Sequence, residues 1–365
     1  MPEGERLPES AIRFIVKLQS MYRGTLVRTR HGHIYGYDPY DRITEYQSRL
    51  QRLLAQRAEE EAAGGGGAVS GTLPSDVEGE AVEPGSPHLI QVGGHGTIAK
   101  CKEKPGAIVK EVPQCEKVVY ESVQGTPIEQ LLPAYHGCET HGSYYMIRLQ
   151  NLTAGMKRPC VMDIKMGRRT FLESETSNSK LRVDLAKKMV EIDPDALTSD
   201  ELSNGVTKLR YMQFREQRSS SAAYGFRIEG AHTRGVDYPD CKDLRSKEQI
   251  DKALRFYLQS RAGLKQAFVA RLNEVKAALQ NSEWFMAHEV VGSSILFVYD
   301  DLEERAACEA SASAHLIDFA KTERLPDGRR LTHTEEWTVG NREDGYLVGL
   351  TNLINVFDGL EGMDA

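Results

Sequence analysis

Between Arg158 and Thr170 the chain reads Arg-Pro-Cys-Val-Met-Asp-Ile-Lys-Met-Gly-Arg-Arg-Thr. Cys160, Val161, Met162 and Ile164 have the make-up of a short buried strand, yet Asp163 and Lys165 interrupt it and Gly167 closes it. Side chains two apart in a strand share a face. Any fold that buries this strand therefore sets a carboxylate beside an ammonium group. A buried charge is costly unless it is paired or put to use. The stretch is either an ordinary strand-end ion pair or a site where one group can accept a proton while the other holds an anion.

With 365 residues the chain has room for two packed lobes and a tail. It contains no run of about 18 apolar residues, and its N-terminus is acidic and polar, so neither a membrane span nor a secretory signal is expected. The cysteines at 101, 115, 138, 160, 241 and 308 show no Cys-x-x-Cys spacing, which points to a reducing, cytoplasmic setting without structural zinc. The net charge of −7 argues against a general nucleic-acid binder. That average hides a local reversal. Residues 157–188 carry nine Lys and Arg against four acids, and residues 208–234 carry six against two. Two basic segments flanking the charged strand suggest a small polyanionic ligand, unless they are simply solvated helix faces.

Residues 10–30 are basic with no acid, and Leu18, Gln19, Arg23, Gly24 and Arg28 fit the spacing of an IQ motif. Such a helix would bind calmodulin or a related protein, or dock on the chain's own core. A second helix is expected from Asp41 to Ala63, and the Gly-, Ser-, Pro- and acid-rich residues 64–88 read as a flexible linker. The first lobe is expected over 89–150. Gly94 and Gly96 sit in a turn whose backbone could approach phosphates, Lys110 ends an apolar strand, and Glu116 opens a helix. A strand lysine paired with a helix glutamate is one way to hold nucleotide phosphates; a surface lysine is the alternative.

The second lobe is expected over 151–360, after a hinge at Gln150–Lys157. Helices are predicted over Leu181–Ile192, Leu209–Arg218, Ser246–Ser260 and Gly263–Gln280, the last with Leu264, Phe268, Leu272, Val275 and Leu279 as a core stripe. Tyr224–Glu229 alternates like a strand. Ser293–Tyr299 and Ala314–Phe319 look like a hairpin pair joined by a mobile connection, and a helix is predicted over Leu347–Phe357. Asp318 follows apolar residues, a place that suits a carboxylate with a cation, such as the Mg²⁺ of a bound ATP, or a salt-bridged structural aspartate.

The pattern Pro159-x-x-x-Asp163-x-Lys165-x-Gly167 resembles the signature of the inositol polyphosphate kinases. Lys187–Pro194, Val206–Glu216, Gly225–Gly230, His288–Ser294 and Gly340–Tyr346 are similar, in order, to blocks of the inositol 1,4,5-trisphosphate 3-kinases, and the likeness runs from about Leu89 to Phe357. The resemblance implies an α+β, two-lobed, kinase-like fold with a helical inositol-phosphate-binding insertion, here about 171–261. It implies ATP and Mg²⁺, with Lys110, Glu116 and the glycine turn at the nucleotide and Asp318 on the metal. Asp163 and Lys165 fall at the transfer centre, and Arg182, Lys208, Tyr211 and Arg215 on the substrate side. His232 stands where the family places a phosphate-gripping lysine. The implied reaction is 3-phosphorylation of inositol 1,4,5-trisphosphate. A broader multikinase or a weakly catalytic scaffold is the rival reading.

Overall fold

The computed structural model describes residues 98–101, 104–141 and 144–363. Gly94, Gly96, the IQ-like residues, the expected helix over 41–63 and the 64–88 linker lie outside them. The architecture is α+β, as expected. The first sheet contains β1 (Ile98–Lys100), β2 (Ala107–Val112), β3 (Tyr135–His141) and β4 (Tyr144–Gln150), antiparallel in the order β1-β2-β4-β3. Lys110 was expected at a strand end, but β2 continues past it because the buried Val112 extends the apolar pattern. Helix α1 (Gln114–Ser122) follows directly, with Glu116 buried in its first turn. β3 escaped the sequence reading because its polar run, with a register shift between Tyr135 and Cys138, hides the strand alternation.

The second sheet is built on the charged stretch. β5 (Pro159–Met166) lies between β9 (Ser294–Asp300) and β6 (Phe226–Thr233), with β10 (Ser313–Ile317) and β7 (Val236–Asp237) at the edges. One face of β5, Cys160, Met162, Ile164 and Met166, is fully buried in a core with α6 (Lys247–Leu258), α7 (Ala262–Gln280) and α10 (Tyr346–Asp358). The core stripe of α7 is the predicted one, since Leu264, Phe268, Leu272, Val275 and Leu279 are its buried residues. Between β5 and β6 stand α2 (Val183–Ile192), α3 (Ser199–Asn204), α4 (Lys208–Gln217) and the short α5 (Ser221–Tyr224). Leu185, Ala186, Met189, Val206 and Phe214 give this segment its own small core. Leu181 precedes α2 and is exposed rather than part of its apolar face. Because β6 belongs to the sheet and α6 packs beneath it, the helices standing apart within 171–261 are those before Phe226.

Two further differences arise from tertiary packing. The connection after β9 carries α9 (Arg305–Ala310), fixed by buried Cys308, with the short α8 (Glu283–Met286) earlier in the chain. Asp300 at its start accepts the Lys157 and Arg158 amides at 2.8 and 2.7 Å and so fastens the segment entering β5. A small sheet pairs β8 (His288–Val290) with β11 (Thr322–Arg324). Gly225, at φ +72°, ends α5 where α10 crosses closely; a Cβ on Gly349 would fall 1.9 Å from the Gly225 carbonyl oxygen. Only two glycines allow that crossing.

The loop before α10 is pinned by a fully buried ion pair. His333 Nδ1 lies 2.9 and 3.0 Å from the two Asp344 oxygens, and Nε2 lies 3.1 Å from the Phe285 carbonyl oxygen. Both partners only accept, so both ring nitrogens carry hydrogen and the ring is an imidazolium. Burial opposes that charge, but Asp344 outweighs it and raises the pKa above 6.5. A histidine raised by folding contributes fully below its ordinary pKa and loses that contribution as pH climbs through the raised value. Denaturant midpoints should therefore fall above neutral pH. His333→Gln should cost about 3 kcal/mol at pH 6 and flatten that dependence. An unaltered pH profile in the variant would show that this pair is not the titrating element.

Candidate active site

Lys110 comes first because it joins distant parts of the chain. From the middle of β2 its Nζ donates to Glu116 Oε1 at 2.6 Å and to Asp318 Oδ1 at 2.5 Å, across 208 positions of sequence. For Lys110, burial disfavours the charge, yet the two acids outweigh it and the pKa rises. Burial raises the pKa of Glu116, with Lys110 pulling against it. Asp318 follows β10 at φ +64°, a left-handed conformation that aspartate tolerates better than most residues and that recurs at functional sites. Its Oδ2 has no hydrogen bond or ion pair among the described residues, and its side chain is about one-third exposed, at 32%.

No group of three or more His, Cys, Asp and Glu among the described residues could hold a metal ion. That donor set is poor for a resident metal. It fits a Mg²⁺ ion that arrives on nucleotide phosphates, because Mg²⁺ keeps phosphate and water ligands and takes only one or two protein carboxylates.

Asp163 and Lys165 share one face of β5, since they stand opposite Leu296 and Ser294 of β9. Asp163 is 3% exposed. Its Oδ1 and the Ser294 hydroxyl are both buried without a hydrogen-bond partner. Burial pushes its pKa up and Asp318 and Glu229 add to the rise, while Lys165 pulls it back, leaving it at about 7. Asp318 follows Ile317, which pairs with Ser294 of β9, the residue that pairs with Lys165, so the Lys110 cluster lies beside the charged face of β5.

The opposing strand explains how Lys165 is held. The β5–β6 register shifts between Asp163 and Ile164, so that Gly230 faces Asp163, Ile228 faces Ile164, and Glu229 is the extra residue. Such bulges re-aim side chains. Glu229 Oε1 receives Arg227 Nε at 2.8 Å and lies 3.7 Å from Lys165 Nζ, while Oε2 lies 3.5 Å from Lys242 Nζ. Burial would raise the pKa of Glu229, but Arg227, Lys165 and Lys242 together hold it down at about 2.

Of the substrate-side residues expected from the sequence, Arg215 lines a cavity of about 330 Å³ with Glu229, Gly230, Tyr238, Asp240, Cys241, Lys242 and Asp243. Lys208 is engaged: it pairs with Glu175, which also receives Lys321 Nζ at 2.8 Å. Against the cost of burial, those two lysines hold the Glu175 carboxyl down at about 2. Lys321 is depressed by its burial, and also by the nearby charges of Lys208 and Lys165, although Glu175 opposes the shift. Tyr211 packs on the small core of the helical segment. Two residues are not brought in by their side chains. Arg182 makes a bidentate pair with Asp184 at 2.7 and 2.6 Å on the exposed side of α2, and His232 Nδ1 is bound to Asp237 at 2.7 Å.

Glu175, Arg227, Glu229, Lys242, Ser294 and Lys321 escaped the sequence reading. Arg227, Glu229 and Ser294 lie inside the family-like blocks, and Lys321 follows Asp318 by three positions, so proximity in sequence offers a signal for those. Nothing local marks Lys242.

The family model of the inositol polyphosphate kinases matches residues 146–358. The chain belongs to the inositol polyphosphate kinase family. Over 277 residues, 74% of this chain, it is 40% identical to inositol-trisphosphate 3-kinase A of Homo sapiens, covering 59% of that protein. It is likewise 40% identical over 277 residues to inositol-trisphosphate 3-kinase C of Mus musculus, covering 74% of this chain and 40% of the relative. The chain thus spans between 40% and 59% of the length of these curated relatives. A crystal structure of an inositol phosphate multikinase from S. cerevisiae in complex with ADP and Mn²⁺ superposes with a TM-score of 0.45 at 18% identity, covering 68% of this chain and 98% of that one.

The raised carboxyl of Asp163 has a consequence for stability. The folded chain keeps a proton that the unfolded chain releases near 3.8, so stability declines as pH rises from there to about 7. Asp163→Asn removes that decline. The melting temperature of the variant relative to wild type should rise between about pH 4 and pH 7, read by differential scanning calorimetry. A constant difference across that range would refute the raised pKa.

Proposed function

We propose that the chain transfers the γ-phosphoryl group of ATP to the 3-hydroxyl of inositol 1,4,5-trisphosphate, giving inositol 1,3,4,5-tetrakisphosphate. The observation that carries the reading is the convergence of the Lys110–Glu116–Asp318 cluster on the Asp163–Lys165 face, with a cation-bearing cavity alongside. Phosphoryl transfer depends mainly on positioning and charge stabilisation, which such an arrangement can supply. Residues 89–150 hold the nucleotide and residues 151–360 the acceptor. Lys110, fixed by Glu116, meets ATP phosphates, and the free oxygen of Asp318 binds the Mg²⁺ that ATP brings. That ion neutralises phosphate charge. Asp163, with a pKa near neutrality, is suited to accept the acceptor hydroxyl's proton, and Lys165 to hold the transferring group.

The identity to inositol-trisphosphate 3-kinases A and C favours this acceptor over a broader range. All six cysteines are free, in keeping with a reducing cytoplasm, and no helix among the described residues is long and apolar enough to cross a membrane. With purified chain, ATP and Mg²⁺, anion-exchange chromatography should show a tetrakisphosphate from inositol 1,4,5-trisphosphate, and Asp318→Asn should lower kcat at least about a hundredfold. Equal rates on tris- and tetrakisphosphates would favour a multikinase; no turnover would favour a scaffold. Undiminished turnover in the variant would exclude Asp318 from metal binding.

For residues 12–30 the proposed partner is calmodulin or a related protein, supported by the spacing of Leu18, Gln19, Arg23, Gly24 and Arg28. The full chain should be retained on immobilised calmodulin with or without Ca²⁺. Loss of retention in both conditions would remove that partner.

A further inference from the structure

Lys242 belongs to no motif, yet the fold carries it to the edge of the proposed acceptor site. The turn Cys241–Asp243 is fastened to β6 by Cys241, which is buried, and by the Tyr238 amide, which donates to the Ala231 carbonyl at 2.8 Å. That attachment turns the Lys242 ammonium toward Glu229 Oε2 at 3.5 Å, with Lys165 on the other carboxylate oxygen at 3.7 Å. Arg227 closes a third side. One carboxylate thus faces three cations, which leaves the immediate surroundings of Glu229 net positive, although the cavity lining as a whole sets Arg215 and Lys242 against Glu229, Asp240 and Asp243. Arg215, which makes no ion pair among the described residues, lines the same cavity from α4. The other carboxylates of the cavity, Asp240 and Asp243, are exposed and screened by water. His232 does not line the cavity, and its ring is occupied by Asp237.

We propose that Lys242, positioned by Glu229, binds one phosphate group of the acceptor from the side opposite α4 and helps to decide which inositol phosphates the site accepts. The proposal rests on the kinase reading and deepens it. Lys242 keeps 42% of its side-chain surface exposed, so its ammonium can gain a phosphate without leaving Glu229. A carboxylate between two lysines holds both in place before the ligand arrives, which lowers the ordering cost of binding. An ammonium–phosphate hydrogen bond of this kind is charge-assisted, and its loss corresponds to about tenfold in affinity.

The test is steady-state kinetics and calorimetric binding with the full chain and inositol 1,4,5-trisphosphate. Lys242→Met should raise the KM for the inositol phosphate about tenfold, leaving kcat and the KM for ATP within about twofold. The salt dependence of that KM should weaken, and Lys242→Arg should restore most of the affinity. Among the inositol bisphosphates, the one lacking the contacted phosphate should bind wild type and Lys242→Met alike. An unchanged KM overturns the proposal. So does a Lys242→Arg variant as impaired as Lys242→Met with an equally lowered melting temperature, which would make Lys242 only a structural partner of Glu229. Calorimetry separates this from the kinase reading. Wild type that binds the trisphosphate with Lys242-dependent affinity but does not phosphorylate it keeps the inference and loses the reaction. Wild type that neither binds nor phosphorylates it overturns both.

Discussion

One ammonium group, that of Lys110, is shared by carboxylates that lie six and 208 positions away. The three residues come from the first sheet, the helix that follows it and the end of a strand in the second sheet. Removing any one of them would leave a largely buried charge unmatched, so the cluster fixes the first sheet against the second at the point where the site forms. Asp318 accepts a left-handed backbone there and keeps one oxygen free. The geometry that secures the fold also leaves a carboxylate available to a cation.

The charged face of β5 is handled by a different device. Asp163 is buried without full hydrogen bonding, and it meets that cost by holding its proton near neutrality. The lysines around it are not left to repel one another. Glu229 gathers Lys165, Arg227 and Lys242, and Glu175 gathers Lys208 and Lys321. Both carboxylates stay ionised because their cations outweigh the cost of burial. A site built this way keeps a crowded set of cations folded in the absence of phosphate while preserving their positions for it.

Much of this was legible from local pattern. The spacing of Asp163 and Lys165 placed both on one strand face, and the stripe of α7 named its buried residues correctly. Lys110 and Asp318 stand out by their places in apolar segments, and Glu116 by opening a helix. What failed to show were features without periodicity. The polar strand β3 gave no alternation, α9 was concealed in an acidic connection, and Arg182 looked like a substrate cation until its pair with Asp184 was seen. Lys242 had no local mark at all, since its position depends on how the turn after β7 folds back onto β6.

The sequence by itself determined the family, the α+β class and the chemical types at the centre, because strand alternation, helix periodicity and ordered motif blocks are local properties of the chain. Only the tertiary structure decided which charges meet. Pairing depends on register and on close approach between segments distant in sequence: a one-residue bulge turns Glu229 toward Lys165, and two facing glycines let α10 cross at Gly225. Electrostatic attraction falls with distance, and its strength changes with burial. The sequence therefore supplied the cations and carboxylates, and the fold decided which were matched and which were left free for a ligand.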